Sequence, residues 1–210
     1  QGPILGMDVH VYDENANSLK NEKGELVCIK SFPSMPLFFW NDNNNEKYYD
    51  AYFNKYENVW CHGDYILKTE NDGFIIFGRS DATLNPGGVR IGTAEIYRQV
   101  EQIEEVMEGL VVGQIWKGDT RVVLFVRLNE NSNLTEELMD KIKTKIRTGA
   151  SPRHVPAKII SVKDIPRTKS GKIAELAVRD LIHNKPINNI TALANPECLE
   201  EYKNIKELSA

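Results

Sequence analysis

The sequence predicts a mixed α+β and α/β fold, with a β-rich first part followed by a small α/β part on a roughly three-stranded sheet. Three observations carry this. Up to residue 78, apolar residues alternate or fall in short runs separated by turn residues. After residue 92, apolar stripes at helical spacing take turns with short continuous apolar runs. Between them, Arg79 to Gly92 holds Pro86, Gly87, Gly88 and Gly92 among two arginines and an aspartate, and it breaks both patterns.

Taken in order, Met7 to Tyr12 alternates as a strand, Asp13 to Asn17 is a turn, and Gly24 to Ile29 starts a second strand. Tyr48, Tyr49, Tyr52 and Phe53 give a short aromatic helical face. Asp64 to Lys68 and Phe74 to Phe77 flank Asn71-Asp72-Gly73, and Asp-Gly between apolar runs signals a hairpin. Thr93 is placed to cap a helix bearing Ile96, Val100 and Ile103 that ends near Gly109. Leu110–Trp116 and Val122–Val126 read as buried strands joined by Lys117-Gly118-Asp119. Thr135 caps a helix with Glu136 and Glu137 in its first turn, where the dipole favours them, and Leu138, Ile142 and Ile146 face inward. Ile159–Val162 is a third strand. Ile173, Leu176, Ala177, Asp180 and Leu181 mark a last helix, and the tail from Asn184 onward is irregular or partly helical. The composition shift near Asp81 divides the chain into 1–80, 81–185 and a tail over 186–210.

The 210 residues, 27% charged and 41% hydrophobic, describe a soluble globular chain long enough for a sizeable core. A formal charge of −4 gives no reason to expect nucleic acid or an anionic membrane as partner. No apolar run reaches membrane-spanning length. Cys28, Cys61 and Cys198 are odd in number and far apart, which is neither a disulfide framework nor a zinc spacing. They read as buried thiols of a reducing compartment, the cytosol first. His10, His62, His154 and His183 read as surface or structural.

Some residue types here suit nucleotide chemistry. Arg79 and Arg90 are permanently charged planar donors matched to phosphate, and Gly87-Gly88 permits close approach to the main chain. Gly-Gly-Val-Arg is not a dinucleotide fingerprint, because Val89 stands where that motif needs glycine. Pro166 to Lys172 has the outline of a phosphate loop. Pro166 replaces its first glycine, however, and Ile173 its metal-binding hydroxyl. Glu95 is placed either to position Arg90 or to cap the helix.

In this order, Trp60-Cys61-His62-Gly63-Asp64, Gly78-Arg79-Ser80-Asp81 and Pro166-Arg167-Thr168-Lys169-Ser170-Gly171-Lys172 resemble the adenylate-forming synthetases. The resemblance covers essentially the whole chain. It implies that 1–80 is the β-rich, barrel-like end of a large AMP-binding domain and that 81–185 is a mobile lid hinged at Asp81. Ala82 stands where many members carry a second aspartate. Asp64 would hold the ribose hydroxyls of the adenylate, and Arg79 the ribose and phosphate. Gly88 would let the pantetheine arm of coenzyme A pass, Arg90 would contact the phosphate side, and Lys172 would be the catalytic lysine. Arg147 corresponds by its distance from Lys172 to an arginine near the 3′-phosphate of coenzyme A, while Lys169 and Arg167 have only a weak claim on those phosphates.

Gly24–Cys28 with Phe32–Pro36, Ala150–Pro156 and Ala194–Leu199 look most like the members that activate acetoacetate. Members that activate acetate or propionate, and a non-catalytic interaction module, are the alternatives. The implied small molecules are acetoacetate, ATP with Mg2+, and coenzyme A, with no metal held by the chain itself. The family's phosphate loop, adenine motif and acyl pocket precede these motifs, so the resemblance implies an N-terminal remainder. Purified 1–210 is therefore expected to form no thioester from acetoacetate, ATP and coenzyme A, and turnover in a coupled AMP assay would overturn this.

Overall fold

The structure, a computed structural model, describes residues 1–187 and 189–209. Of the tail expected over 186–210, Asn188 and Ala210 lie outside the described residues. Contacts divide the chain into two units, 1–81 and 82–210.

In the first unit, β1 (Val9–Tyr12), β2 (Lys23–Cys28), β3 (Trp60–Lys68) and β4 (Phe74–Arg79) form an antiparallel meander in chain order. Asp13 holds the first turn by accepting the amides of Asn15 and Asn17 at 2.9 and 2.8 Å. The short helix α1 (Glu46–Tyr52) begins under Asp42, whose carboxylate accepts the Lys47 and Tyr48 amides. That satisfies donors which a helix start leaves open. Its aromatic face packs on Trp60, with Tyr52 stacked at 3.6 Å between ring centroids, and Phe32, from beyond β2, meets the same indole edge-on at 5.2 Å.

The second unit is built on β5 (Val106–Trp116), β6 (Asp119–Leu128) and β7 (Lys158–Ser161). β5 and β6 are antiparallel, and β6 and β7 are parallel. Lys117 and Gly118 turn the hairpin with φ of 50° and 83°, the geometry that matches strand twist in a two-residue turn. One face of the sheet buries Val111, Val122, Leu124 and Val126 against Ile96 and Val100 of α2 (Thr93–Val100) and Leu138, Ile142 and Ile146 of α3 (Glu136–Gly149). The other buries Leu110, Val112, Val123 and Phe125 against Val178 of α4 (Glu175–Ile182) and against Leu193, Leu199, Tyr202 and Leu208. Each such aliphatic side chain contributes roughly 1.5–3 kcal/mol by leaving water. The tail is thus part of a core, folded as short 3-10 turns at Ile190–Ala192, Pro196–Tyr202 and Lys206–Ser209.

Three local expectations need correction. Gly92, not Thr93, occupies the cap of α2, and Glu95 closes that end by accepting the Gly92 amide at 3.1 Å. The helix stops at Val100; Ile103 stays buried but lies in the turn that feeds β5, which starts at Val106 rather than Leu110. Met107 and Glu108 hid that start, because a bulge there interrupts the alternation. Ile173 lies outside the last helix, in a bridge with Arg167, and the helix buries Val178 instead. Thr135 caps α3 as expected, accepting the Leu138 amide.

Cys28, Cys61 and Cys198 are buried and unpaired. Burial, with Asp164, Glu197 and Glu201 nearby, pushes the Cys198 thiol up to about 11. A group whose folded-state pKa is raised stabilises the fold below its unfolded value, about 8.5 for a thiol. That contribution fades as pH climbs through 11. Urea midpoints measured across pH 8 to 11 should therefore fall more steeply in the wild type than in Cys198→Ala, and parallel curves would refute the assignment.

Candidate functional site

The first unit gathers three expected residues where the end of β4 pairs with the middle of β3. Asp64 and Arg79 are direct cross-strand partners, so a separation of fifteen residues in sequence becomes adjacency in the sheet. Arg79 Nη1 lies 3.8 Å from Asp64 Oδ1, while its Nε and Nη2 each lie 3.4 Å from Asp81 carboxylate oxygens. Nη1 also donates to the His62 carbonyl at 3.2 Å. Burial opposes the charge on Arg79, but the Asp81 hydrogen bond and the charges of Asp81 and Asp64 hold its guanidinium above the ordinary value.

Gly63 makes this approach possible. Its φ is +81°, and a Cβ there would sit 2.8 Å from Arg79 Nη2. His62 stands on the other flank, Nε2 3.5 Å from Asp64 Oδ2, with Nδ1 accepting the Trp60 indole N–H at 3.2 Å. Asp64 is thus held electrostatically on two sides, at distances that leave lone pairs for a ligand's hydroxyls.

Two partners here were missed from sequence. His62 lies in β3 two residues before Asp64, a signal that period-2 reading could have used. Glu25, 2% exposed in β2, pairs with Lys55 at 2.7 Å and accepts the Ser80 hydroxyl, fixing the residue between Arg79 and Asp81. Nothing local in the sequence announces that pairing.

In the second unit, Leu84 and Ile91 exchange both backbone hydrogen bonds, at 2.9 and 2.8 Å, so residues 85–90 project as a closed loop. Gly87 and Gly88 have φ of 57° and 76°, and nothing lies within 4 Å of a Cβ at Gly88. The Gly87 amide donates to both Asp119 carboxylate oxygens at 3.1 Å. Arg90 Nε donates to Thr83 Oγ1 at 3.0 Å. Behind the loop, Glu95 Oε2 also faces the buried His154 ring at 3.4 Å, and His154 Nδ1 is 2.8 Å from Ser151 Oγ. Glu95 thus closes the start of α2, and His154 is buried behind it.

A cleft of about 340 Å3 lies between residues 82–85, β5 and α4, lined by Thr83, Asn85, Glu175, Leu176, Arg179 and His183. Glu175 accepts the Tyr97 hydroxyl, tying α4 to α2. Lys172 precedes α4 in a tight hairpin: Thr168 N–H donates to the Lys172 carbonyl at 2.8 Å, and Lys172 N–H to Thr168 Oγ1 at 3.1 Å. Its side chain is exposed, as is that of Arg147 on the last turn of α3. Among the described residues neither cation makes a hydrogen bond or ion pair. The structure thus brings Asp64, Arg79 and Asp81 together, sets Gly88 and Arg90 on one loop, and leaves Lys172 and Arg147 on separate elements.

Residues 95–172, which end on that lysine, match the family described as AMP-binding enzyme C-terminal domain. Over its full length the chain is 60% identical to an acetoacetyl-coenzyme A synthetase of Rhizobium meliloti (strain 1021), covering 32% of that protein. Residues 95–172 thus carry an AMP-binding enzyme C-terminal domain, and the chain as a whole is similar to part of an acetoacetyl-CoA synthetase. Across 99% of the chain, identity to an acetoacetyl-CoA synthetase of Xenopus tropicalis is 47%, covering 31% of that relative. The solved acetoacetyl-CoA synthetase of Streptomyces lividans superposes on all of this chain with a TM-score of 0.92 at 40% identity, again over 32% of its own length. ATP-bound MatB from Rhodopseudomonas palustris, at 20% identity over 85% of this chain and 34% of its own, shares the fold with a TM-score of 0.71. The chain spans about a third of the length of the relatives it matches. Among the described residues no helix is long and apolar enough to cross a membrane.

Gly63→Ala and Gly88→Ala impose similar left-handed strain, roughly 1–2 kcal/mol each by chemical denaturation. Only Gly63→Ala should displace Arg79. Nucleotide affinity measured in the full-length protein should drop for Gly63→Ala and hold for Gly88→Ala; equal loss would separate Arg79 from binding.

Proposed function

We propose that the chain is part of an ATP-dependent acid–thiol ligase that converts acetoacetate to acetoacetyl-CoA through acetoacetyl-AMP. The observation that supports this reading most is the identity to acetoacetyl-CoA synthetases along the entire chain. In the first step an acetoacetate carboxylate oxygen attacks the α-phosphorus of ATP and pyrophosphate leaves. In the second the coenzyme A thiolate attacks the acyl carbon and AMP leaves.

Asp64 accepts two hydrogen bonds from the ribose diol, and Arg79 donates to ribose and phosphate from beside it. Lys172 bridges the substrate carboxylate and the α-phosphate, meeting negative charge where it develops. Asp81 is the hinge of the lid, 81–185, which swings between the two steps. Gly88, with no side chain to obstruct, passes the pantetheine arm; Arg90 serves the phosphate side and Arg147 the 3′-phosphate of coenzyme A. Mg2+ accompanies the ATP phosphates, and no step is assigned to it. The acyl pocket lies in the N-terminal remainder of the longer chain. Buried free thiols support a reducing compartment, the cytosol.

The test is AMP release by the full-length enzyme with acetoacetate, acetate and butyrate, wild type beside Lys172→Ala. Acetoacetate should be preferred. Loss of one preorganised charge contact costs about 2.7–4 kcal/mol, so the variant should lose on the order of 10²- to 10³-fold in adenylation while still using preformed acetoacetyl-AMP. Preference for acetate would refute the substrate, and absence of turnover would favour an interaction module.

A further inference from the structure

The hairpin that carries Lys172 has a second edge, and the tail is paired to it. Thr168 faces Lys172 with its backbone, which leaves Arg167 and Lys169 facing the other way. On that side the Lys169 amide donates to the Ala192 carbonyl and the Ala194 amide donates to the Arg167 carbonyl, each at 2.8 Å. Thr168 and Leu193 form an antiparallel bridge there.

Asn195 completes the arrangement. Its Oδ1 accepts the Arg167 amide at 2.8 Å. Its Nδ2 donates to Asp164 Oδ2 at 2.6 Å and to the Ile165 carbonyl at 3.0 Å. One side chain therefore grips three positions of the segment that leads into the lysine hairpin, satisfying donor and acceptor capacity together. Tyr202 adds a hydrogen bond to the Asp164 carbonyl at 2.8 Å, from a ring packed on Phe125 with 4.9 Å between centroids. Arg167, aligned by these contacts, spans the hairpin to the Gly171 carbonyl at 3.1 Å and pairs with Glu108 of β5.

We propose that Asn195 is a positioning residue for Lys172: through the Arg167 main chain it fixes the hairpin that aims the ammonium. This rests on the reading of Lys172 given above. A hydrogen-bonded clamp suits the task because an exposed lysine on an unsupported hairpin samples many placements, and catalysis by a positioned charge fails when it is misplaced by about an ångström.

The consequence is selective. Lys172 serves the adenylation step, so loosening its hairpin should affect that step alone. In the full-length enzyme, Asn195→Ala should lower acetoacetate-dependent ATP–pyrophosphate exchange on the order of ten- to a hundredfold, while thioester formation from supplied acetoacetyl-AMP stays within about twofold. Asn195→Asp combined with Asp164→Asn exchanges donor and acceptor in the side-chain pair and keeps the acceptor for the Arg167 amide, while losing the Ile165 contact and the pairing of Asp164 with Arg127. It should recover most of the exchange rate. Equal loss of both half-reactions in Asn195→Ala, or wild-type exchange in that variant, would overturn the proposal. A double variant as slow as Asn195→Ala would do so too. Lys172→Ala run beside them separates the two readings: if that variant keeps full exchange, the role of the lysine fails, whereas if it loses exchange and Asn195→Ala does not, only the positioning role fails.

Discussion

The second unit depends on a sheet whose centre is covered on both faces. Val122, Leu124 and Val126 of β6 point into one core, and Val123 and Phe125 into another. Two-sided burial turns the usual alternation into a continuous apolar run, here Val122–Val126. It also requires covers on both sides, α2 and α3 on one and α4 with the tail on the other. The loops with functional promise are the approaches to those covers. Residues 85–90 lead into α2, and the Lys172 hairpin leads into α4.

This explains how exposed, glycine-bearing segments are held in place. Each is short and anchored at both ends to buried structure: Leu84 and Ile91 on one side, Ile165 and Val178 on the other. The polar contacts that shape the loops, such as Asp119 on the Gly87 amide, are then made by groups whose positions the sheet already sets. In the first unit the same logic works through strand register, since pairing Asp64 with Arg79 in β3 and β4 assembles a carboxylate and a guanidinium without any loop.

Local pattern disclosed much of this. Asp72-Gly73 announced its hairpin, Thr135 its helix, and the run at 122–126 its buried strand. Where local pattern failed, a non-local or irregular feature had intervened. A bulge at Val106/Glu108 hid the start of β5. Glycine carries no side-chain signal, so the cap at Gly92 was assigned to its neighbour. The residues named for nucleotide chemistry came from motif resemblance, because spacing alone made them ordinary loop charges. Glu25 with Ser80, and Asn195 with Arg167, pair across 55 and 28 positions and leave no periodic trace.

The two cores also differ in when they can close. Every side chain of the first lies between Leu84 and Ile159, whereas the second needs Leu193, Leu199, Tyr202 and Leu208. During synthesis, one side of the sheet can be covered as soon as β7 has emerged, while Phe125 and its neighbours must wait for some of the last residues made in this unit. For that interval the nascent domain is a sheet with one greasy side open. A short, irregular tail thus decides when the domain stops being sticky.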